Sequence, residues 1–227
     1  MIEPFCEKLK KTHYGKIVCL GDSVTQGYFE SREKMHGITD FSAVYHKKLK
    51  DIIAYCFPAY EIEIINSGVG GECAGRGYER LQEDVIEHDP DLVTVCYGLN
   101  DINGSMEDYI GGLDGIFTAL DHCGIPYLFM TPNMLNTAVT SPILQSYAQK
   151  TAELQKGTAM DQYMSAAIAC AQKHGAPVCD CYGEWQRLYK AGIDINRLLA
   201  NGINHPKREM HLLFAQKLFE TIFLSSK

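Results

Sequence analysis

The sequence is poor in positive charge and contains no basic tract. Its 227 residues carry 21 Lys and Arg against 28 Asp and Glu, which gives a formal net charge of −7. Proteins that bind nucleic acid neutralise phosphates with clustered Lys and Arg side chains. The charge balance therefore argues against a nucleic-acid partner, while 46% hydrophobic and 22% charged residues are typical of a globular protein.

Long apolar runs are also missing. The longest, such as Ile52–Pro58, fall far short of the roughly 20 residues that a helix needs to cross a bilayer. The stretch Met1–Lys16 contains two acids and lacks the apolar core of a secretory signal. We therefore expect no membrane span and a cytoplasmic location.

The motifs of metal, redox and nucleotide sites are absent as well. The nine cysteines form no CxxC pair, so most are expected to be buried thiols, although Cys179 and Cys181 could share one strand face. No GxGxxG sequence follows a predicted strand, and no Walker sequence occurs. The histidines on predicted loops or polar helix faces show no ligand spacing; they are His36, His46, His88, His122 and His174. We therefore expect neither a metal nor a cofactor.

Short apolar or β-branched runs alternate with longer helical patterns along the chain. This alternation is typical of parallel strands joined by crossover helices. The five predicted strands are Lys16–Gly21, Glu61–Asn66, Asp91–Tyr97, Ile125–Thr131 and Ala176–Cys181. The sequence therefore predicts an α/β fold.

Apolar residues at three- and four-residue spacing predict the crossover helices. A later helix is predicted from Met106, with Ser105 as its cap and Asp108 in capping-box register. No linker, charge block or repeat divides the chain, so a single domain over residues 1–227 is favoured. The first helical stripe comprises Ile38, Phe41, Val44, Tyr45, Leu49, Ile52 and Ile53.

Four unusual segments lie where such a fold binds ligands. In an open parallel sheet, ligands bind beyond the carboxyl ends of the strands. Gly21–Gly27, Asn66–Glu72 and Gly98–Asp101 end or directly follow predicted strands, and Asn201–Pro206 precedes the predicted last helix. Each segment alone also has a structural interpretation, as a turn, a helix cap, a phosphate nest or a surface residue. Their occurrence together indicates a common site.

Together the segments contain the groups that acyl transfer requires. Ser23 offers a hydroxyl nucleophile, and His205 offers an imidazole that accepts its proton. The oxyanion hole would consist of the Ser23 and Gly71 N–H groups and the Asn100 side chain. Asp22 is expected to brace the loop through hydrogen bonds and to take no part as the acid of a triad.

These blocks resemble the SGNH family of GDSL-type esterases and lipases. Ser23 in GDS matches the nucleophile block, and Gly71 in NSGVGGE matches the glycine block. Asn100 in GLND matches the asparagine block, and His205 in NGINHP matches the histidine block. The resemblance implies a flavodoxin-like, three-layer α/β/α sandwich around a five-stranded parallel sheet. It also implies a serine esterase that forms an acyl-enzyme on Ser23, with a small-molecule ester as substrate.

One position departs from that family's pattern. The histidine block is usually DxxH, but Gly202 stands where the Asp is expected. The group that orients His205 therefore stays open between the amide oxygen of Asn201, a carboxylate such as Asp194, and a backbone carbonyl, with Asn201 or a carbonyl favoured. Replacing the acid by Asn in a serine protease costs about 10,000-fold in rate, so weak activity is one expectation.

Other functions stay open from the sequence. Gly202 at the acid position favours a catalytically silent binding protein for acylated sugars or small anions. The glycine turn is compatible with an anion or nucleotide binder of the flavodoxin type. The resemblance implies small acyl groups such as acetyl, often on carbohydrates, and the loops near Phe29–Phe41 and Pro132–Gln155 are expected to decide the substrate.

Overall fold

A five-stranded parallel sheet forms the centre of the fold. The computed structural model describes residues 2–30, 37–140 and 144–224. The central sheet has the order β4-β1-β5-β6-β7, and β2 pairs with β3 in a separate antiparallel hairpin. The predicted parallel α/β architecture is confirmed. The strands are β1 Tyr14–Gly21, β2 Tyr28–Phe29, β3 Ile38–Thr39, β4 Glu61–Gly68, β5 Leu92–Cys96, β6 Tyr127–Met130 and β7 Val178–Cys179.

Helices cover the sheet on both faces. Because crossovers between parallel strands are right-handed, the connection from β1 to β4 lies on one face and those leading to β5, β6 and β7 lie on the other. Accordingly α3 packs with α10, and α6 packs with both α4 and α8. The α-helices of the described ranges are α1 Glu3–Thr12, α2 Ser23–Gln26, α3 Tyr45–Cys56, α4 Ala74–Glu79, α5 Leu81–Asp84, α6 Met106–Cys123, α7 Gln145–Lys156, α8 Ala159–Lys173, α9 Cys181–Lys190 and α10 His211–Phe219.

The central strands are buried on both faces. Every residue of β5 and β6 is buried, and so is every residue of β1 from Ile17 to Gly21. Strands covered by helices on both sides carry nearly continuous apolar runs, as these do.

No helix in the described ranges is both long and apolar enough to cross a membrane. The single domain over residues 1–227 stays a prediction.

Helix α6 begins as the sequence predicts. The Ser105 hydroxyl accepts a hydrogen bond from the Asp108 N–H at 3.0 Å and donates one to the Asp108 carboxylate at 2.6 Å. This satisfies a backbone donor that the first turn of a helix otherwise leaves unpaired. The cap assignment is therefore confirmed.

Two details of the predicted elements are wrong. The stripe assigned to the first crossover helix begins too early, because α3 starts at Tyr45, Ile38 lies in β3, and Ile38 and Phe41 are 64% and 63% exposed. Cys181 does not share a strand with Cys179, since β7 ends at Cys179 and Cys181 opens α9. Residues 41–43 form a turn before α3, and Asp180 caps α9 between the two cysteines.

The carboxyl ends of β4, β1 and β5 meet at one edge of the sheet. The chain leaves β1 towards β4, whereas β5 leads to β6 in the opposite direction. The connections therefore diverge around β1, and this reversal opens the crevice in which doubly wound sheets bind ligands. Three of the four predicted blocks emerge at this edge.

Candidate active site

Ser23 stands at the exit of β1, on the first turn of α2. Asp22 caps this short helix by accepting a hydrogen bond from the Val24 N–H at 2.9 Å. The bracing contact expected for Asp22 is thereby confirmed. Ser23 is only 7% exposed, so its hydroxyl lies at the floor of the crevice.

The Ser23 hydroxyl meets the imidazole of His205. Ser23 Oγ lies 2.7 Å from His205 Nε2, although 182 residues separate the two in the chain. The His205 and Tyr28 rings are nearly perpendicular, with their centroids 5.8 Å apart. The alcohol and the imidazole predicted to converge are therefore in direct hydrogen-bond contact.

The turn that carries His205 is held by the side chain of Asn201. Asn201 Oδ1 accepts hydrogen bonds from the N–H groups of Ile203, Asn204 and His205 at 2.9, 3.0 and 3.1 Å. The Ala200 N–H also donates to the His205 carbonyl at 2.7 Å. These bonds fix the backbone on both sides of the imidazole.

Two side chains lie against His205 Nδ1. Glu30 Oε2 is 3.1 Å from Nδ1, and Asn201 Nδ2 is 3.3 Å from it. Asn201 Nδ2 also donates to Glu30 Oε2 at 2.8 Å and to Asn204 Oδ1 at 2.9 Å. Because Asn201 Oδ1 is engaged by the backbone of the turn, the amide nitrogen is the Asn201 atom that faces the ring.

Glu30 is the site residue that sequence reasoning missed. It follows β2, and its side chain is 25% exposed. Hydrogen bonding to His205 is the strongest influence and lowers the pKa of Glu30 below its ordinary value, against the opposing effect of partial burial. Glu30 is therefore a carboxylate at neutral pH. Its one sequence signal is its position shortly after the nucleophile block.

The other groups considered for the Nδ1 side lie elsewhere. Asp194 caps the 3₁₀ turn Ile195–Arg197 by accepting from the Asn196 N–H at 3.0 Å. Gly202 has a φ of +71°, a backbone conformation that strains any residue with a side chain. Among the described residues, the hydrogen-bond contacts of His205 Nδ1 are with the Glu30 and Asn201 side chains, and none is with a backbone carbonyl.

The predicted oxyanion donors line the same crevice. The Ser23 and Gly71 N–H groups donate to no acceptor among the described residues. Gly71 has a φ of +80°, which glycine adopts without strain, and a Cβ there would meet nothing within 4 Å. Asn100 Nδ2 donates to the Glu72 carbonyl at 2.9 Å, which leaves its second amide hydrogen for a ligand.

Arg80 holds the glycine loop in place. Its guanidinium pairs with the Glu72 carboxylate at 2.8 Å and with Asp84 at 2.8 Å. It also donates to the Ser67 carbonyl at 2.7 Å, at the end of β4. Since the Arg80 and Glu72 side chains are only 15% and 16% exposed, this ion pair is partly shielded from solvent screening.

Two buried carboxyl groups support the loops beneath the crevice. Burial raises the pKa of Asp22 to about 7 and the pKa of Asp101 to about 6. Asp101 Oδ1 accepts from the Ala74 N–H at 2.8 Å, which ties the asparagine block to α4. The second oxygen of each carboxyl has no partner in the described part of the chain. Both groups brace backbone, and neither hydrogen-bonds to the ring of His205.

The crevice opens into a cavity of about 380 Å³. Its wall includes four apolar or aromatic side chains, those of Tyr28, Leu144, Tyr147 and Ile203. Parts of the two loops predicted to decide the substrate, residues 31–36 and 141–143, lie outside the described residues. The described wall is therefore mixed, with aromatic faces next to amide and carboxylate groups.

A cluster of possible metal ligands lies away from this crevice. Ligand-type atoms of Asp114, Cys170 and His174 are within 4.8 Å of one another. His174 Nδ1 is 2.8 Å from Asp121, Nε2 is 3.0 Å from Asp114, and Lys173 Nζ is 3.1 Å from Asp114. Although burial opposes it, hydrogen bonding to the two carboxylates raises the pKa of His174. The ion pairs of His174 with Asp114 and Asp121 account for the position of its ring.

Comparisons with curated proteins give two partial matches. An acetylxylan esterase from Geobacillus stearothermophilus is 29% identical over 90 residues, which are 38% of this chain and 40% of that protein. An arylesterase from Vibrio mimicus is 30% identical over 97 residues, 43% of each chain. The matched stretches thus span less than half the length of these relatives.

Solved structures match over nearly the whole chain. An acetylxylan esterase from Geobacillus stearothermophilus superposes with a TM-score of 0.71 at 19% identity, covering 93% of this chain and 95% of that one. A lipase/acylhydrolase from Enterococcus faecalis gives 0.70 at 21% identity, covering 92% and 95%. At such identities the likeness concerns the fold.

A family model settles the relationship. The model of the GDSL-like Lipase/Acylhydrolase family matches residues 19–213, a span that contains all four sequence blocks and the two side chains in contact at the crevice. This agrees with the resemblance seen in the blocks themselves. The chain belongs to the GDSL-like lipase/acylhydrolase family.

Proposed function

We propose that the protein is a carboxylic ester hydrolase in which Ser23 is the nucleophile and His205 the general base. The observation that carries the proposal is the 2.7 Å contact between Ser23 Oγ and His205 Nε2. Membership of a family of lipases and acylhydrolases supports it. A hydroxyl next to an imidazole base, with backbone donors alongside, is the arrangement that acyl transfer needs.

The first half of the reaction forms an acyl-enzyme. As Ser23 Oγ attacks the ester carbonyl carbon, its proton passes to His205 Nε2. The carbonyl oxygen becomes negative and accepts hydrogen bonds from the Ser23 and Gly71 N–H groups and from Asn100. The C–O bond to the alcohol then breaks, and His205 returns the proton to the departing alkoxide.

The second half releases the acid. Water loses a proton to His205 Nε2 as its oxygen attacks the acyl carbon, and the same donors bind the new oxyanion. The bond to Ser23 Oγ breaks, and His205 returns the proton to that oxygen. The ester and one water thus yield an alcohol and a carboxylic acid, and the protein is restored.

Short acyl groups are the substrates that we propose, with acetyl esters of carbohydrates first. The names of the relatives, an acetylxylan esterase and an arylesterase, support acetyl and small aryl esters. Tyr28 and Tyr147 in the cavity wall offer faces on which a sugar or an aryl ring can pack. The Asn204 amide in the same wall offers a hydrogen-bonding group for substrate hydroxyls.

A silent binding protein is the less well supported alternative. This alternative was based on Gly202, which stands where the family usually has an Asp. Without that Asp, the His205 imidazole had no identified carboxylate partner. Because the Glu30 carboxylate lies 3.1 Å from His205 Nδ1, the glycine at position 202 no longer favours loss of activity. We therefore do not retain the binding function as a second candidate.

Turnover and covalent labelling of the unmodified protein test the proposal. We expect hydrolysis of p-nitrophenyl acetate that stops when the protein is treated with a fluorophosphonate. Mass spectrometry of the digest should place the phosphonyl group on the peptide that contains Ser23. Absence of both turnover of short esters and labelling of Ser23 would exclude a serine esterase.

Substitution of Asn100 tests the oxyanion donors. Asn100→Ala is expected to lower kcat by about 100- to 1000-fold, because the lost hydrogen bond forms mainly with the charged oxygen of the transition state. KM for p-nitrophenyl acetate should change little. Steady-state kinetics check this, with Asn103→Ala in the neighbouring 3₁₀ turn as the matched control. An equal effect of both substitutions would point to disturbance of the loop instead.

A further inference from the structure

We propose that Glu30 is the residue that orients His205 in this protein, in place of the Asp that the family's histidine block usually carries. The inference deepens the proposed function and rests on it. It concerns a positioning residue, because Glu30 acts on the reacting atoms only through the imidazole. The contacts on the Nδ1 side of the ring carry it.

The hydrogen-bond requirements of the imidazole select the partner. If His205 Nε2 is to accept the proton of Ser23, the neutral ring must carry its own hydrogen on Nδ1 and donate it. Only an acceptor can satisfy that hydrogen. Of the two side chains against Nδ1, Glu30 presents an oxygen at 3.1 Å and Asn201 presents a nitrogen at 3.3 Å.

The orientation of the Asn201 amide is fixed by its other contacts. Its oxygen accepts three backbone N–H groups of the turn, and its nitrogen donates to Glu30 Oε2 and Asn204 Oδ1. Rotating the amide by 180° would place the nitrogen against those three N–H donors. Asn201 therefore cannot take the hydrogen of Nδ1, and its contribution is to hold the Glu30 carboxylate at 2.8 Å.

The backbone conformation at position 202 favours glycine over an acid. Gly202 lies inside the turn closed by Asn201 Oδ1 and has a φ of +71°. An Asp there would have to adopt the left-handed region at a cost of about 1 kcal/mol or more. In this chain the carboxylate instead arrives from the segment after β2, on the opposite side of the ring from Ser23.

The carboxylate also suits the charge that develops during the reaction. When His205 Nε2 takes the proton of Ser23, the ring becomes a cation and donates from both nitrogens. Glu30 Oε2 then faces an imidazolium, and the proton on Nδ1 stays where it is. With side chains 25% and 9% exposed, Glu30 and His205 are shielded enough for their attraction to exceed that of a surface pair.

Glu30→Gln is the variant that tests the inference. It removes the charge and keeps the shape, so we expect kcat to fall by about 100- to 10,000-fold while KM changes little. Glu30→Asp, which restores a carboxylate, should recover part of the loss. The matched control is Glu184→Gln, because Glu184 is also a shielded carboxylate, 20% exposed and paired with Lys217 at 3.0 Å, and it should behave as wild type.

Labelling by a fluorophosphonate gives a second readout that does not depend on the choice of ester. The rate constant for phosphonylation of Ser23 should fall in Glu30→Gln in parallel with kcat, while the melting temperature of the variant stays near that of the wild type. A residue with a merely structural role would lower the melting temperature and leave the Glu30→Asp variant no better than Glu30→Gln.

The outcomes separate this inference from the proposed function. If Glu30→Gln keeps kcat and the labelling rate within about threefold of wild type while Ser23→Ala is inactive, Glu30 does not orient His205 and the esterase assignment stands. If the wild-type protein neither turns over short esters nor is labelled at Ser23, the esterase assignment fails and the role of Glu30 fails with it.

Discussion

Replacing Ser23 with alanine is expected to lower kcat for p-nitrophenyl acetate by about a million-fold, the size of effect seen when the nucleophile of a serine hydrolase is removed. The reason is that no other described hydroxyl lies within hydrogen-bond distance of His205 Nε2, which meets Ser23 Oγ at 2.7 Å. Without an acyl-enzyme, only direct attack by water remains. Steady-state assays with purified protein check the result.

The same substitution should leave the fold intact. The Ser23 hydroxyl makes its hydrogen bond with His205, and the cap of α2 is provided by Asp22. Alanine is also a good helix former, so the melting temperature should stay near that of the wild type. Ser42→Ala, in an exposed loop before α3, is the control and should be fully active. Substantial turnover by Ser23→Ala would remove Ser23 as the nucleophile.

The sheet could be predicted because each strand is signalled locally. Asp91–Tyr97 was predicted from its β-branched run, and the strand spans Leu92–Cys96, with every residue buried. A β-branched run of this kind can be recognised from residues that are neighbours in the chain. The hairpin of β2 and β3 was missed because its strands are only two residues long and carry no alternation that a sequence pattern could show.

The Nδ1 partner of His205 could not be predicted for a different physical reason. Glu30 is 175 residues from His205 and leaves no trace in local spacing. Its distance depends on where the segment after β2 lies against the turn at 201–205, which is a property of tertiary packing. The sequence did mark Asn201 as a neighbour of the imidazole, but not which of its amide atoms faces the ring. The orientation of the Asn201 amide is determined by the three backbone N–H groups that donate to its oxygen.

Replacing His205 with alanine is expected to lower kcat by about as much as Ser23→Ala, again roughly a million-fold. The alcohol of Ser23 is a weak nucleophile until a base removes its proton, and the described residues place no other base against Ser23 Oγ. Since serine and imidazole act as one unit, the double variant Ser23→Ala/His205→Ala should be no slower than either single variant. If the two side chains acted independently, the fold-losses in kcat of the two single variants would instead multiply in the double variant.

This comparison is sharper than either single substitution, because it measures whether the two side chains depend on each other. A double variant that is much slower than both single variants would mean that Ser23 and His205 support separate routes of hydrolysis. The control is His122→Ala, an exposed histidine in the last turn of α6, which should keep full activity. Since Glu30 is 25% exposed, water can solvate its carboxylate when the imidazole is removed, so His205→Ala should fold. A normal melting temperature with lost turnover would then place the defect in the chemistry.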